Sequence, residues 1–374
     1  MAGAIAAHAR HARSRSHRPR LDGGCMSDIE ALLVLPHLQI QNANAISSPL
    51  THGFPSITAM MGLMWALQRK LSGAGIPLKL RRVGVICHDF EEQVHDGYVK
   101  TFHLTRNPVD KDGATAAIVE QGRMHLDLTL LFDVVDAGTA GDATSSGLRD
   151  DTGCTEWATR IGEMVAGMRV AGGSVLPGRA IPGRRTRPWI AMLPDDYEEQ
   201  LRLFARWQRQ WLPGYALVGR DDLLAERHRL LREQRNDASL LDAWLHAARF
   251  NHQPLPDESA GGGTDAAKRL RWGDPLRPRG SGWIVPIPVG YAALTKPHAP
   301  GAVANTRDAA TPFVWVESIY SLGQWIGPHR VAHWHELLWQ PETDGKAGLY
   351  RCRSGYQGPA GASEPGDEDL PDFD

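Results

Sequence analysis

An apolar run from Leu32 to Ile40 breaks abruptly into a loop crowded with amides and hydroxyls, and that loop breaks into an almost wholly apolar stretch from about Ile57 to Leu71. Ile57, Met60, Met64, Leu67 and Leu71 recur at three- and four-residue spacing, the period of a helix that packs on a sheet. The run before the loop reads as a strand, with Pro36 marking a bulge or an edge position. A polar loop between two buried elements is not there for packing. Its side chains, Asn42, Asn44, Ser47, Ser48, Thr51 and His52, offer donors and acceptors but no charge. That suits nucleotide edges and sugars better than metal binding or acid–base chemistry.

Further along, Val83–Cys87 reads as a short buried strand, and Tyr98–Thr105 as a strand that pairs with a later segment through the turn Asn107–Gly113. Met124, Leu126, Leu128, Leu130 and Phe132 alternate with His125, Asp127 and Thr129, the period of a half-exposed strand. From Asp195 the pattern becomes helical, with helices predicted at Glu198–Trp211, Asp221–Arg235 and Leu240–Phe250. In the first of these, Phe204, Trp207 and Trp211 share one face, while Arg202, Arg206 and Arg209 lie opposite. That stripe is either a phosphate or partner contact or the wet side of an amphipathic helix. Strands are predicted at Trp283–Pro288 and Phe313–Glu317, and a helix at Pro328–Trp339. The class is α+β, with a body over 26–194, a helical insertion and basic linker over 195–280, and a return to the body over 281–353.

The net charge of −2 hides segregation. Residues 1–25 hold five arginines and one aspartate, whereas 364–374 hold six carboxylates and no base. Residues 179–235 carry twelve arginines against eight acids, and 268–279 carry five bases against one. One basic surface on a neutral body is a footprint for phosphate, or else a salt-laced solvated face. The Arg-rich leader, 1–25, lacks the apolar core of a secretory signal, and Met26 is the simpler start of translation. The acidic tail, 354–374, is too poor in apolar groups to order itself. No window approaches the ~20 apolar residues of a membrane span. Cys25, Cys87, Cys154 and Cys352 lack metal or redox spacing and read as free thiols of a cytoplasmic protein.

Seven stretches taken in order are more specific than any short motif: Leu33–Pro55, Leu104–Pro108, Gly113–Arg123, Met168–Pro177, Leu212–Val218, Val285–Tyr291 and Pro328–Val331. Together they resemble the second Csy subunit of the type I-F CRISPR surveillance complex, from about Ile29 to Tyr350. The resemblance implies an RNA-recognition-motif-like (ferredoxin-like) core with a thumb hairpin and a helical insertion. It implies a non-catalytic RNA-binding subunit of antiviral defence, without cofactor or metal. That subunit holds the 5′ handle of CRISPR RNA beside the large PAM-reading subunit and the backbone Csy subunit, and meets target DNA only indirectly. Asn42, Asn44, Ser47, Ser48 and His52 suit exposed base edges and 2′-hydroxyls. Arg169, Gly172, Gly173 and Ser174 fall where main-chain amides approach phosphate, glycine having no side chain to obstruct them. Arg106, Asn107 and Lys111 fall at the expected thumb, where an ordinary solvent-facing turn is the competing account. Paired aromatics on the central strands are absent, which argues against base stacking on the sheet.

Three readings compete. A CRISPR RNA-processing endonuclease of the same superfamily needs a general base and acid near a 2′-hydroxyl. His52, His88, His103, His125 and Tyr98 are candidates, but they form no recognisable constellation among sixteen histidines. A metal hydrolase would draw on His329, His333, His335 and Glu336, yet the zincin spacing is missing. A general single-strand binder needs surplus positive charge, and the body is neutral. Trp189, Trp207, Trp211, Trp315, Trp325 and Trp334 are too many to assign to a core alone, and interfaces favour tryptophan.

Overall fold

The computed structural model describes residues 29–105, 109, 112–114, 119–137, 148, 150–178, 181–256, 270–277, 280–306 and 308–358. The leader, most of the acidic tail, Arg106, Asn107, Lys111 and part of the 268–279 basic run lie outside them. The class is mixed α/β, with one large antiparallel sheet and, among the described residues, five α-helices.

Three long strands organise the first half: β1 (Ala31–Asn44), β2 (Leu78–Glu92) and β3 (Arg123–Asp136). β3 lies between the other two, antiparallel to both. Pro36 cannot donate to a ladder, and the β1–β3 register duly shifts between Leu35 and Leu38. β2 is far longer than the predicted Val83–Cys87, because its polar ends, Lys79–Arg82 and His88–Glu92, pair as fully as its apolar centre. β3 alternates only up to Asp127; from Leu128 to Val134 every residue is buried. Both faces of that half are covered. On one, helices α1 (Ile57–Gly73) and α2 (Asp151–Ala166) pack with Leu33, Leu35, Leu128, Leu130 and Phe132. Ser56 caps α1 by accepting from the Thr58 amide, and Asp150 caps α2 by accepting from Thr152 and Gly153. The chain then returns to the free edge of β1 twice, as Gly173–Val175 beside Ile40–Gln41 and as Trp189–Met192 beside Ala31–Val34.

The other face is covered by α3 (Tyr197–Gln210), whose Phe204 and Trp207 pack with Trp189, Trp211, Trp334, Leu32, Val34 and Leu131. Five of the six tryptophans in question, Trp189, Trp207, Trp211, Trp325 and Trp334, are therefore core, and only Trp315 is exposed. The span expected to be a helical insertion is also not wholly helical. Between α3 and α4 (Asp221–Gln234), β4 (Tyr215–Gly219) enters the main sheet beside β2; α5 (Leu240–Ala247) follows. Beyond it come β5 (Trp283–Ala293), β6 (Val316–Ile326), β7 (Leu338–Asp344) and β8 (Leu349–Ser354), in the spatial order β1-β3-β2-β4-β6-β5-β8-β7. β7 then returns to β2, pairing Leu338 with Gly84 and Trp339 with Val83, so this half curls into a ring. The predicted helix at Pro328–Trp339 is replaced by two 3-10 turns, Pro328–Arg330 and Trp334–Leu337, that lead into β7. Val331, Trp334 and Leu337 recur every three residues, a spacing that 3-10 turns satisfy as well as an α-helix does. No described helix is long and apolar enough to cross a membrane.

Candidate nucleic-acid interface

The end of β1 and the loop after it are held by their own side chains. Asn42 has a positive φ of 58° and is exposed, and its amide donates to His125 Nδ1 at 3.1 Å. The Asn44 side chain braces the next turn, donating to the Ile46 carbonyl at 2.7 Å and accepting from the Ile46 amide at 3.2 Å. Ser47 and Ser48 share the Thr51 hydroxyl at 2.8 and 2.6 Å. Ser48 and Thr51 are buried, so these two shape the loop rather than face a ligand. His52 is exposed and leans on the Phe102 ring, with centroids 5.0 Å apart.

More than a hundred residues later, the hairpin Arg169–Val175 docks on the same strand end. The Asn44 amide donates to the Ala171 carbonyl at 2.9 Å, and Ser174 pairs in register with Gln41. Arg169 Nη1 donates to the Gly172 carbonyl at 3.1 Å and reaches the Ser174 hydroxyl at 3.4 Å. Ala171 and Gly172 both have positive φ, 48° and 80°, and form the turn. Gly172 stands in open space. Gly173 serves a different purpose from the one its sequence suggests. It is buried, and a Cβ there would lie 2.7 Å from Ile40 Cγ2 and 2.8 Å from the Ala43 nitrogen and the Gln41 oxygen. It is glycine so that the hairpin can touch β1. Exposed Asn42, Asn44, His52, Arg169 and Gly172, with half-buried Ser174, thus form one amide-rich patch. Sequence reasoning missed Arg123, which pairs in register with Asn44 and whose guanidinium donates to Gln121; strand register carries no local signal.

A second cluster, on the sheet's middle, has no signature in the sequence. His37 and His88 stack with ring centroids 4.1 Å apart, and His37 Nδ1 lies 3.1 Å from the Asp127 carboxylate. His88 Nδ1 donates to the Pro213 carbonyl at 2.8 Å, so a neutral ring accepts the Thr129 hydroxyl at Nε2, 2.7 Å away. Thr129 Oγ in turn accepts from the His37 amide at 3.3 Å. Donor atoms of His37, His88 and Asp127 lie within 4.8 Å of one another, close enough to suggest a metal. Both His88 nitrogens are already engaged, however, and stacked rings aim their lone pairs side by side rather than at a common point. The arrangement is a hydrogen-bond network that fixes the β1 bulge.

Burial, only partly offset by the Pro213 hydrogen bond, pushes the His88 imidazole below its ordinary value of 6.5. Burial alone would raise the Asp127 carboxyl, but the His37 hydrogen bond and the His37 and His88 charges outweigh it and hold the group below the usual carboxylate range. Both groups bind protons less readily folded than unfolded, so both contributions are complete above the unfolded values and are lost on acidification. Thermal melting should therefore show stability falling once the pH drops below about 6.5. His88→Gln should flatten the part of that fall that begins near pH 6.5.

The other candidate residues do not assemble. The His103 ring lies tilted against His95, centroids 4.1 Å apart, and Tyr98 is fully exposed. His125 accepts from Asn42, and His329 and His333 sit in separate turns rather than four apart on a helix. Arg202, Arg206 and Arg209 are exposed on α3, as the helical spacing required. β2 sets Asp89 and Glu91 opposite Asp127 and His125.

The family described as CRISPR-associated protein (Cas_Csy2) matches residues 33–352. The chain is also 43% identical over 331 residues to "CRISPR-associated protein Csy2" of Pseudomonas aeruginosa (strain UCBPP-PA14), an alignment that covers 87% of this chain and 96% of that relative.

Proposed function

The chain belongs to the Csy2 family, the second Csy subunit of type I-F CRISPR complexes, and from that premise we propose that it holds the 5′ handle of CRISPR RNA together with the large, PAM-reading subunit. The observation that carries this reading is the amide-rich patch in which Asn42, Asn44 and His52 meet Arg169, Gly172 and Ser174. Single-stranded RNA is read on splayed base edges and 2′-hydroxyls, and uncharged amides beside a guanidinium suit both edge and phosphate. The core supports the same assignment. β1, α1, β2, β3, α2 and Trp189–Met192 follow one another as βαββαβ, with β1 lying between β3 and Trp189–Met192, the arrangement expected of a ferredoxin-like unit. The segment between β2 and β3 pairs Val94–His95 with Thr101–Phe102 and Leu104–Thr105 with Val119–Glu120. It is the proposed thumb, reaching for the backbone Csy subunit. At the handle patch, target DNA is met only through the RNA, in the cytoplasm.

The role is non-catalytic. His88 is committed on both nitrogens, and His52, His103 and His125 have separate partners. The purified protein should leave repeat RNA intact; cleavage that a His52→Ala variant abolished would restore the nuclease. Arg169→Ala is expected to weaken handle binding about tenfold, since a hydrogen bond to a charged group contributes ~1.5–3 kcal/mol and 1.4 kcal/mol is a decade. Fluorescence anisotropy with the co-expressed large subunit checks this, and unchanged affinity would remove Arg169 from the site.

A further inference from the structure

Several arginines of this chain find carboxylates: Arg81 with Asp133, Arg220 with Asp222, Arg229 with Glu226, Arg351 and Arg353 with Asp221. Arg184, Arg185, Arg206 and Arg209 do not; among the described residues none of the four forms an ion pair. They gather around two adjoining hollows that share Arg206 and Gln210. The larger, of about 640 Å³, is lined by Trp189, Trp207 and Arg185, with Asp151 as its carboxylate. The smaller, of about 470 Å³, is edged by Arg184, Arg206 and Arg209. Arg184 Nη1 donates to the Gln210 carbonyl at 2.7 Å, and the Arg185 guanidinium lies 4.5 Å over the Trp189 ring, where burial lowers its proton affinity.

The C-terminal end of α3 accounts for part of this. Arg184 satisfies its last carbonyl, and Arg209 sits in its last turn, where a cation is favoured. Neither Arg185 nor Arg206 has that explanation. Crowding four cations around one carboxylate is unfavourable even on an exposed surface, and an anion relieves it. The guanidinium fork matches phosphate oxygens in pairs. Side by side, the two hollows form a track rather than one closed pocket, which fits a repeating anion better than a single small molecule.

We propose that this arginine cleft binds the phosphodiester backbone of a single-stranded nucleic acid at a second place, remote from the handle patch. Trp189–Met192 pairs with the Ala31–Val34 end of β1, whereas the handle patch begins at Gln41 and Asn44. About ten residues of strand separate them, roughly 30 Å, with the carboxylates of Asp89 and Asp127 between. The proposal rests on the cleft's own charges and does not need RNA at the handle patch.

The test uses the full chain with its co-expressed large subunit and fluorescent single strands that lack any handle, one RNA and one DNA of the same length. Arg206→Glu with Arg209→Glu, both exposed and unpaired among the described residues, is expected to weaken binding at least about tenfold. It should also reduce the slope of log affinity against log salt by about 1.4, at ~0.7 for each phosphate left without its cation. Arg206→Lys with Arg209→Lys should keep most of the slope, and the absence of a handle from both probes separates failure here from failure at the handle. An effect on the RNA alone assigns the cleft to the guide, and an effect on the DNA alone assigns it to the target strand. Unchanged affinity and slope on both strands overturn the proposal. So does loss of the large subunit from the variant complex with strand affinity intact, which would make the cleft a protein-docking surface.

Discussion

Gly173→Val is expected to weaken binding of handle-bearing CRISPR RNA about a hundredfold while the chain stays folded. A valine Cβ would stand 2.7–2.8 Å from Ile40 Cγ2, the Ala43 nitrogen and the Gln41 oxygen, and two of those are backbone atoms that cannot rotate away. The hairpin must lift from β1. Arg169, Gly172 and Ser174 then leave the patch together, so the loss exceeds that of any single side chain. Overpacking of this kind costs ~1–3 kcal/mol, and the damage falls on the end of β1 rather than on the two-sided centre of β3. A melting temperature lower by a few degrees is expected with the large loss in affinity. Gly172→Asn is the control. Its φ of 80° lies in open space, and asparagine tolerates the left-handed region, so affinity should stay within a few-fold. If Gly173→Val bound as well as the parent, the hairpin would have no part in holding RNA.

Trp207→Ala should be the most destabilising single truncation, at about 3–5 kcal/mol. Trp207 is 4% exposed, and its ring lies 5.4 Å from Trp189, 6.1 Å from Trp211 and 5.0 Å from Trp334. Those rings join α3, the edge strand Trp189–Met192 and the turn before β7, three segments far apart in sequence. Each of the three packs edge-on against Trp207, and Trp211 and Trp334 also pack edge-on against each other. The cavity also underlies the Arg185 cleft, so handle-free strand binding should weaken along with stability. Chemical denaturation would show the midpoint fall with an unchanged slope. A loss below about 1 kcal/mol would mean that α3 is not anchored as described.

Local pattern carried the elements whose environment is simple. The α1 stripe, the helical run from Asp195 and the Pro36 irregularity were all legible, because each depends on a few neighbouring side chains. The alternation at Met124–Phe132 was legible only in part. Thr129 and Asp133 look solvent-facing by type yet are buried, since α3 and β4 close over a face that reads as polar. Asp133 is tolerated there through Arg81 and Arg82, partners about fifty residues away in the chain. At Pro328–Trp339, a three-residue spacing was compatible with two conformations, and the need to lead into β7 selected the extended one. The tryptophans could not be divided between core and interface, because composition says nothing about which rings meet.

The candidate site shows the same division. The amide-rich loop announced itself by its contrast with apolar flanks. That Ser48 turns inward, that Gly173 serves contact with β1, and that Arg123 joins the patch all follow from strand register, which pairs residues by distance in space. The His37–His88–Asp127 network was hidden for the same reason: its members come from three strands, and no two share a motif.

The most direct test of the handle-holding role is equilibrium binding of the co-expressed subunit pair to CRISPR RNA with an intact 5′ handle and to the same RNA with the handle scrambled. Tight binding that requires both the intact handle and this chain is the expected result. Equal affinity for the two RNAs would contradict it and leave the chain a basic scaffold without a reading role.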